Sequence, residues 1–237
     1  QGGLGNAANL TINTEGNNDA NAGVITLGLI GNTNPLGTVE LLNGNVGVTL
    51  NANISADTVD LDQIDGTITL ADDITLTTTN SAVNLTNADA IQGNTAGNES
   101  LSINSGSGDI TLPAVGSTTA LEAISLTTTG TINLGGNLSV DGGGDVSLSG
   151  TIDPTQGDFA IDTDAAGGTT AAGDIIFSET STFNDAGANL TLDASADAGG
   201  AAGGSVELGT ITANSLTVNT EGNAAGNNGT ITLHRDI

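Results

Sequence analysis

The feature that most constrains this chain is a spacing of two. Twenty pairs of apolar residues, each separated by a single residue, run from Leu10/Ile12 to Ile231/Leu233. The early ones include Ile25/Leu27, Val39/Leu41, Val48/Leu50, Val59/Leu61 and Ile68/Leu70. Later ones include Ile124/Leu126, Ile132/Leu134, Leu138/Val140, Val146/Leu148 and Val206/Leu208. A spacing of two places both side chains on one face of an extended strand. The residue between them is mostly Thr, Ser, Asn, Asp or Glu, which gives the strand a polar second face. No segment sustains a helical period. Gly-, Asn- and Asp-rich stretches separate the pairs, such as "DGGGD" (141–145) and "NSGSGD" (104–109). These residues close tight corners.

Short strand, corner, short strand, repeated without interruption, predicts an all-β parallel β-solenoid. In such a fold a coil buries little by itself, and its inward aliphatics stack on those of the coils above and below. Two or three pairs per coil predict seven to ten coils and a body on the order of 35–50 Å long. The composition suits a thin core. Trp, Tyr, Met and Cys are absent, and the aromatics are Phe159, Phe177 and Phe183. A β-sandwich is the competing architecture, and it would call for longer strands and larger core side chains. No linker breaks the pattern, so residues 1–237 read as one solenoid domain, a segment or subunit of something longer.

Coil length varies. Pairs start 15 or 16 residues apart at Leu10/Ile25, Phe159/Ile175, Leu190/Val206 and Leu216/Ile231. The intervening segments are alike in composition and predict loops that leave the body at one recurring corner. The two ends also match. "LTINTEGNNDANAGVITL" (10–27) and "LTVNTEGNAAGNNGTITL" (216–233) are identical at 12 of 18 positions. Neither end carries an amphipathic capping helix, and an open solenoid edge invites another strand. The expected partner is therefore a second copy, stacked head to tail. Recent duplication within a larger polypeptide is the alternative.

Charge removes several classes of function. There are 27 acidic residues against one base, Arg235, and the formal net charge is −26. Such a surface cannot neutralise phosphate, which excludes nucleic acid and anionic lipid as partners. No apolar run is long enough for a membrane helix. The expected classification is non-enzymatic. Uronate chemistry needs Lys or Arg, a sugar platform needs aromatics, and His234 beside the terminus is the only histidine. Asn-X-Ser/Thr triplets at Asn9, Asn53, Asn84, Asn98, Asn137, Asn189 and Asn228 offer glycosylation acceptors, although chance produces several in so Asn- and Thr-rich a chain.

Metal binding is the chemical hypothesis that remains. Asp57, Asp60, Asp62 and Asp65 fall in one short span, Asp141 and Asp145 flank a turn, and Asp162 and Asp164 open a loop. Carboxylate oxygens suit Ca²⁺, although Asp also simply makes corners. Asp60 and Asp62, on one strand face with Asp65 in the turn, form the leading candidate.

The stretch "ISLTTTGTINLGGNLSVDGGGDVSLSGTI" (124–152) resembles the repeats of filamentous-haemagglutinin-type exoproteins, as do "GTITLADDITLTTTNSAVNL" and "ANLTLDASADAGGAAGGSVELGTI". The resemblance covers nearly the whole chain. It implies a right-handed parallel β-helix exported by two-partner secretion, on the bacterial cell surface or outside the cell. The Asn-Pro motifs of that family's secretion domain are represented here only by Asn34-Pro35, so the chain looks like shaft. The expected role is that of an extracellular fibre or adhesin shaft, with a host-surface, matrix or glycan ligand as a further partner. The alternatives are an ice- or glycan-binding solenoid and a calcium-stabilised surface-layer module.

Overall fold

A computed structural model describes residues 8–13, 24–42, 47–165, 171–197 and 199–234. Its named strands run from 2 to 12 residues; the longest, such as Ile124–Leu134 and Thr182–Asp193, carry register shifts, and all strands pair in parallel with partners one coil away. The solenoid class read from the spacing is what the chain adopts, with about 8 turns. The chain visits three faces in a fixed order, which makes each coil three-sided.

Face 1 stacks Leu10, Val39, Val59, Val83, Ile110, Ile132, Ile152, Phe183 and Ile211 in register. Face 2 stacks Ile25, Val48, Ile68, Ile91, Val115, Leu138, Ile161, Leu192 and Val218. Face 3 stacks Ile30, Ile54, Leu76, Ile103, Leu126, Leu148 and Phe177, and ends with Leu208 on Leu233. Eight steps separate Leu10 from Ile211 along face 1, a rise of about 38 Å at the usual strand spacing.

The inward column members of the body are fully buried: Val59, Ile68, Leu126, Ile152 and Leu192 are all 0 % exposed. They belong to one continuous cluster that reaches from Ile25 to Ile211. Phe159, Phe177 and Phe183 lie within one coil, and the rings of Phe159 and Phe183 sit 6.3 Å apart at 29°. The bulkiest side chains of the core thus share one level instead of disturbing the stack at several. Among the described residues, every buried side-chain nitrogen or oxygen has a hydrogen-bond partner.

The corners explain where the small polar residues go. Thr78, Ser105 and Thr128 turn inward at the corner between faces 3 and 1. Their hydroxyls donate to the carbonyls of Ser81 and, for the latter two, Gly108. Thr163 closes the neck of a long loop by donating to the Gly173 carbonyl at 2.8 Å. Each hydroxyl satisfies a carbonyl that a tight turn would otherwise strand in the core.

Two expectations about long segments need correction. Segments 162–174, 193–205 and 219–230 do share one corner, between faces 2 and 3. The segment after Asn13 instead joins face 1 to face 2, and residues 14–23 lie outside the described residues. The matching phrases are therefore not structurally equivalent. Residues 10–27 span faces 1 and 2, whereas residues 216–233 span faces 2 and 3. Any aliphatic pair, loop, aliphatic pair unit fits any corner, because every face makes the same demand on its strand.

Candidate functional site

Acidic side chains are the only chemistry this chain has in quantity, so their placement decides what its surface can do. Most corner acids serve the stack. An Asn or Asp directly before a strand accepts the backbone N–H of the equivalent residue one coil on. Asn9 does so for Thr38 at 2.9 Å, Asn53 for Thr75 at 2.7 Å, and Asp73 for Ser100 at 2.9 Å. The pattern continues with Asp109 and Thr131 at 2.8 Å, Asn137 and Ala160 at 3.0 Å, and Asp158 and Asn189 at 3.0 Å. It forms a continuous ladder where Asp145 accepts from Asp174 at 2.8 Å and Asp174 accepts from Ser205 at 2.7 Å. Hydrogen bonds from the Asn189 backbone and side chain hold the Asp158 carboxyl below the usual aspartate range.

A second set folds back on its own strand end. Asp60 accepts from the N–H of Asp62, Asp162 from that of Asp164, and Asp193 from that of Ser195. Such Asx turns start the corners. Burial pushes the Asp60 carboxyl up against the opposing Asp62 hydrogen bond, and the charges of Asp62 and Glu40 add to the rise. At Asp162 burial again leads, the Asp164 N–H opposes it, and the nearby charges of Asp193, Asp197 and Asp164 raise it further.

The eight aspartates marked as candidate calcium ligands therefore divide. Asp60 and Asp62 are brought together, with Asp62 also accepting from Gln63 at 2.8 Å and Asn84 at 3.4 Å. Asp162 and Asp164 are brought together, and Asp164 accepts the N–H of Asp197 at 2.9 Å from the next coil. Asp57 and Asp65 are exposed and stand apart from this pairing; Asp141 and Asp145 flank their turn, Asp145 bonded along the stack. Among the described residues, no group of three or more His, Asp or Glu side chains converges as a metal site. The carboxylates are aimed at backbone N–H groups, some one coil along the axis and others two residues on in the same coil.

The described residues of the three segments at the corner between faces 2 and 3 bond to one another along the axis. Asn223 donates to the Asp197 carbonyl at 2.9 Å, and Asn227 to the Gly200 carbonyl at 2.9 Å. Ser195, Asp197, Asn219, Glu221 and Asn223 line an open groove there. His234 lies at the same end of the molecule, with Nε2 3.5 Å from Glu207 and Nδ1 3.9 Å from Glu179. Arg235 lies outside the described residues.

On face 3 the outward positions form two columns of small polar side chains. Thr75, Ser102, Ser125 and Ser147 make one, and Thr77, Asn104, Thr127 and Ser149 the other. Sequence reading finds Thr75 and Thr77 but not their columns, because the coils that align them differ in length. No protein-family model, curated protein or solved structure matches this chain.

Proposed function

We propose that this chain is a structural element: a length of shaft from an extracellular fibre or bacterial surface adhesin, extended by stacking coil on coil. One observation carries the reading. The three aliphatic columns run unbroken through the body, while several inward positions of the outermost described coils lose part of their cover, although Ile25, Leu27 and Ile211 stay buried. Ile231 and Leu233 are each 51 % exposed, whereas Val206 and Leu208 directly beneath them are 0 % exposed. A ligand-binding domain has reason to close its core, and a shaft has reason to continue it. The acidic exterior supports the same role, since rods of like charge resist lateral clumping. The likeness to filamentous-haemagglutinin-type repeats supports the extracellular setting.

The test is association measured against protein concentration and salt. Negative-stain images and sedimentation are expected to give single-width rods whose length grows with concentration. Growth is easier at 0.15 M salt, where the screening length is about 8 Å, than at 0.01 M, where it is about 30 Å. Rods of one short length under all conditions would overturn the self-assembling shaft. The hydroxyl columns of face 3 favour a second reading, a flat polar surface for ice or glycan, which thermal hysteresis of the solution would support.

A further inference from the structure

The polar columns of face 3 carry a more specific inference, which rests on the second reading, a flat polar surface, and does not depend on the shaft. The two columns hold eight outward side chains over four coils, and none of the eight is charged, in a chain with 27 acidic residues. The other faces mix carboxylates into their outward positions. Glu40 and Asp60 are register partners on face 1, as are Asp162 and Asp193 at the edge of face 2. On face 3 the neutral run ends after Ser147, where Ile176 and then Glu207 follow in the column. Asp73, Glu122 and Asp145 precede the strands and so stand outside the two columns. The hydroxyls are also unspent. Among the described residues, Ser149 accepts from Ser178 at 3.3 Å and Asn104 accepts the Gly106 N–H at 3.1 Å, whereas the side chains of Thr75, Thr77, Ser102, Ser125, Thr127 and Ser147 make no hydrogen bond.

We infer that this array binds ice. Its register does not shift over the four coils. The side chains therefore repeat at about 4.8 Å along the axis and about 6.6 Å across the two columns, close to the repeat distances of oxygen on a prism plane of hexagonal ice. Each hydroxyl offers one donor and two acceptor lone pairs, as a lattice water does to its neighbours. The strands hold these groups in place before ice arrives, so little ordering remains to oppose binding. Other occupants fit less well. A small soluble ligand needs a concavity that buries most of its surface. The groove among Leu29, Pro35 and Asn53 reaches only Thr75 and Thr77 of the array. A stable protein partner needs roughly 800 Å² per side and an aromatic or Arg anchor, whereas the array covers roughly 200 Å² and has no such anchor. A crystal surface needs neither concavity nor anchor, because many small contacts in register must break together.

Thermal hysteresis and ice-crystal shaping by the purified chain test the inference. The unmodified chain is expected to show both. Ser125 points outward in the middle of the array, between Ser102 and Ser147. Ser125→Tyr is expected to remove most of the hysteresis and to leave the melting curve unchanged. Thr69→Tyr, in the single threonine column that Thr26, Thr49 and Thr69 form on face 2, is expected to keep it. If Ser125→Tyr also lowers Tm, Thr77→Tyr at an exposed position of the same array takes its place. Hysteresis that survives the face 3 variants, or that Thr69→Tyr removes instead, would overturn the assignment to face 3. No hysteresis, but retention of the chain on an insoluble neutral polysaccharide, would overturn ice and leave the polar-surface reading standing. Neither hysteresis nor retention would overturn both.

Discussion

Asp162, Asp193 and Asn219 stand one above another at the edge of face 2, each accepting the backbone N–H two residues on. The position needs an acceptor and does not need a charge, since Asn219 makes the same turn as the two aspartates. Asp162 bears the cost of the extra charge. Burial, then the neighbouring aspartates, raise its carboxyl pKa above the ordinary value despite the hydrogen bond from Asp164. A carboxyl raised on folding contributes stability below its unfolded pKa of about 3.9, and that contribution is lost as pH rises through the folded value. The variant Asp162→Asn keeps the acceptor and removes the charge. It is expected to raise Tm at pH 7 and to remove the gain in stability that Asp162 supplies as pH falls through its raised folded pKa toward the unfolded value of about 3.9. A lowered Tm at pH 7 would mean that the carboxylate charge itself is used.

At the scale of the element, the corner between faces 2 and 3 depends on a column of glycines. Gly144, Gly173, Gly204 and Gly229 occupy it in successive coils. A Cβ at Gly173 would stand 1.8 Å from the Gly144 carbonyl oxygen, and one at Gly204 would stand 1.9 Å from that of Gly173. The backbones of neighbouring coils approach so closely that any side chain forces them apart. Gly173→Ala is expected to cost about 2–3 kcal/mol. Since about 1 kcal/mol moves Tm by 2–4 °C at this size, the drop should be read easily in a melt. Gly157→Ala is a poor control because its φ is 92°; Gly28→Ala, with open space around the glycine, serves better.

The same scale explains what the sequence could reveal. All twenty apolar pairs lie on one of the three columns. The seven remaining column members, Ile30, Ile54, Ile91, Val115, Ile152, Phe183 and Ile211, have no Val, Ile, Leu or Phe two residues on, only Ala56 and Ala213 at two of them, and so leave a weak period. Ile91 is followed by Gln92 and Gly93, where a buried Gln92 amide accepts the N–H groups of Thr118 and Thr119. The Asx ladder carries a signal in the sequence, namely Asn or Asp immediately before a strand. Its partners could not be named, because coils of unequal length hide which residues lie above one another. For the same reason the aspartates looked like ligand clusters: proximity in sequence is visible, whereas alignment along the axis is not.

For the whole molecule, each coil gains its burial from the coils on either side. Interior coils are covered twice and the outermost ones once, which is the physical basis for continuation. The direct measurement is cryo-electron microscopy of the rods with the axial repeat resolved. Among the described residues face 1 holds nine levels, so uninterrupted stacking requires a subunit repeat of at least about 43 Å and a strand spacing of about 4.8 Å that continues across every junction. A gap in that spacing at the junction, or copies alternating in direction along the rod, would contradict continuous stacking of the coils.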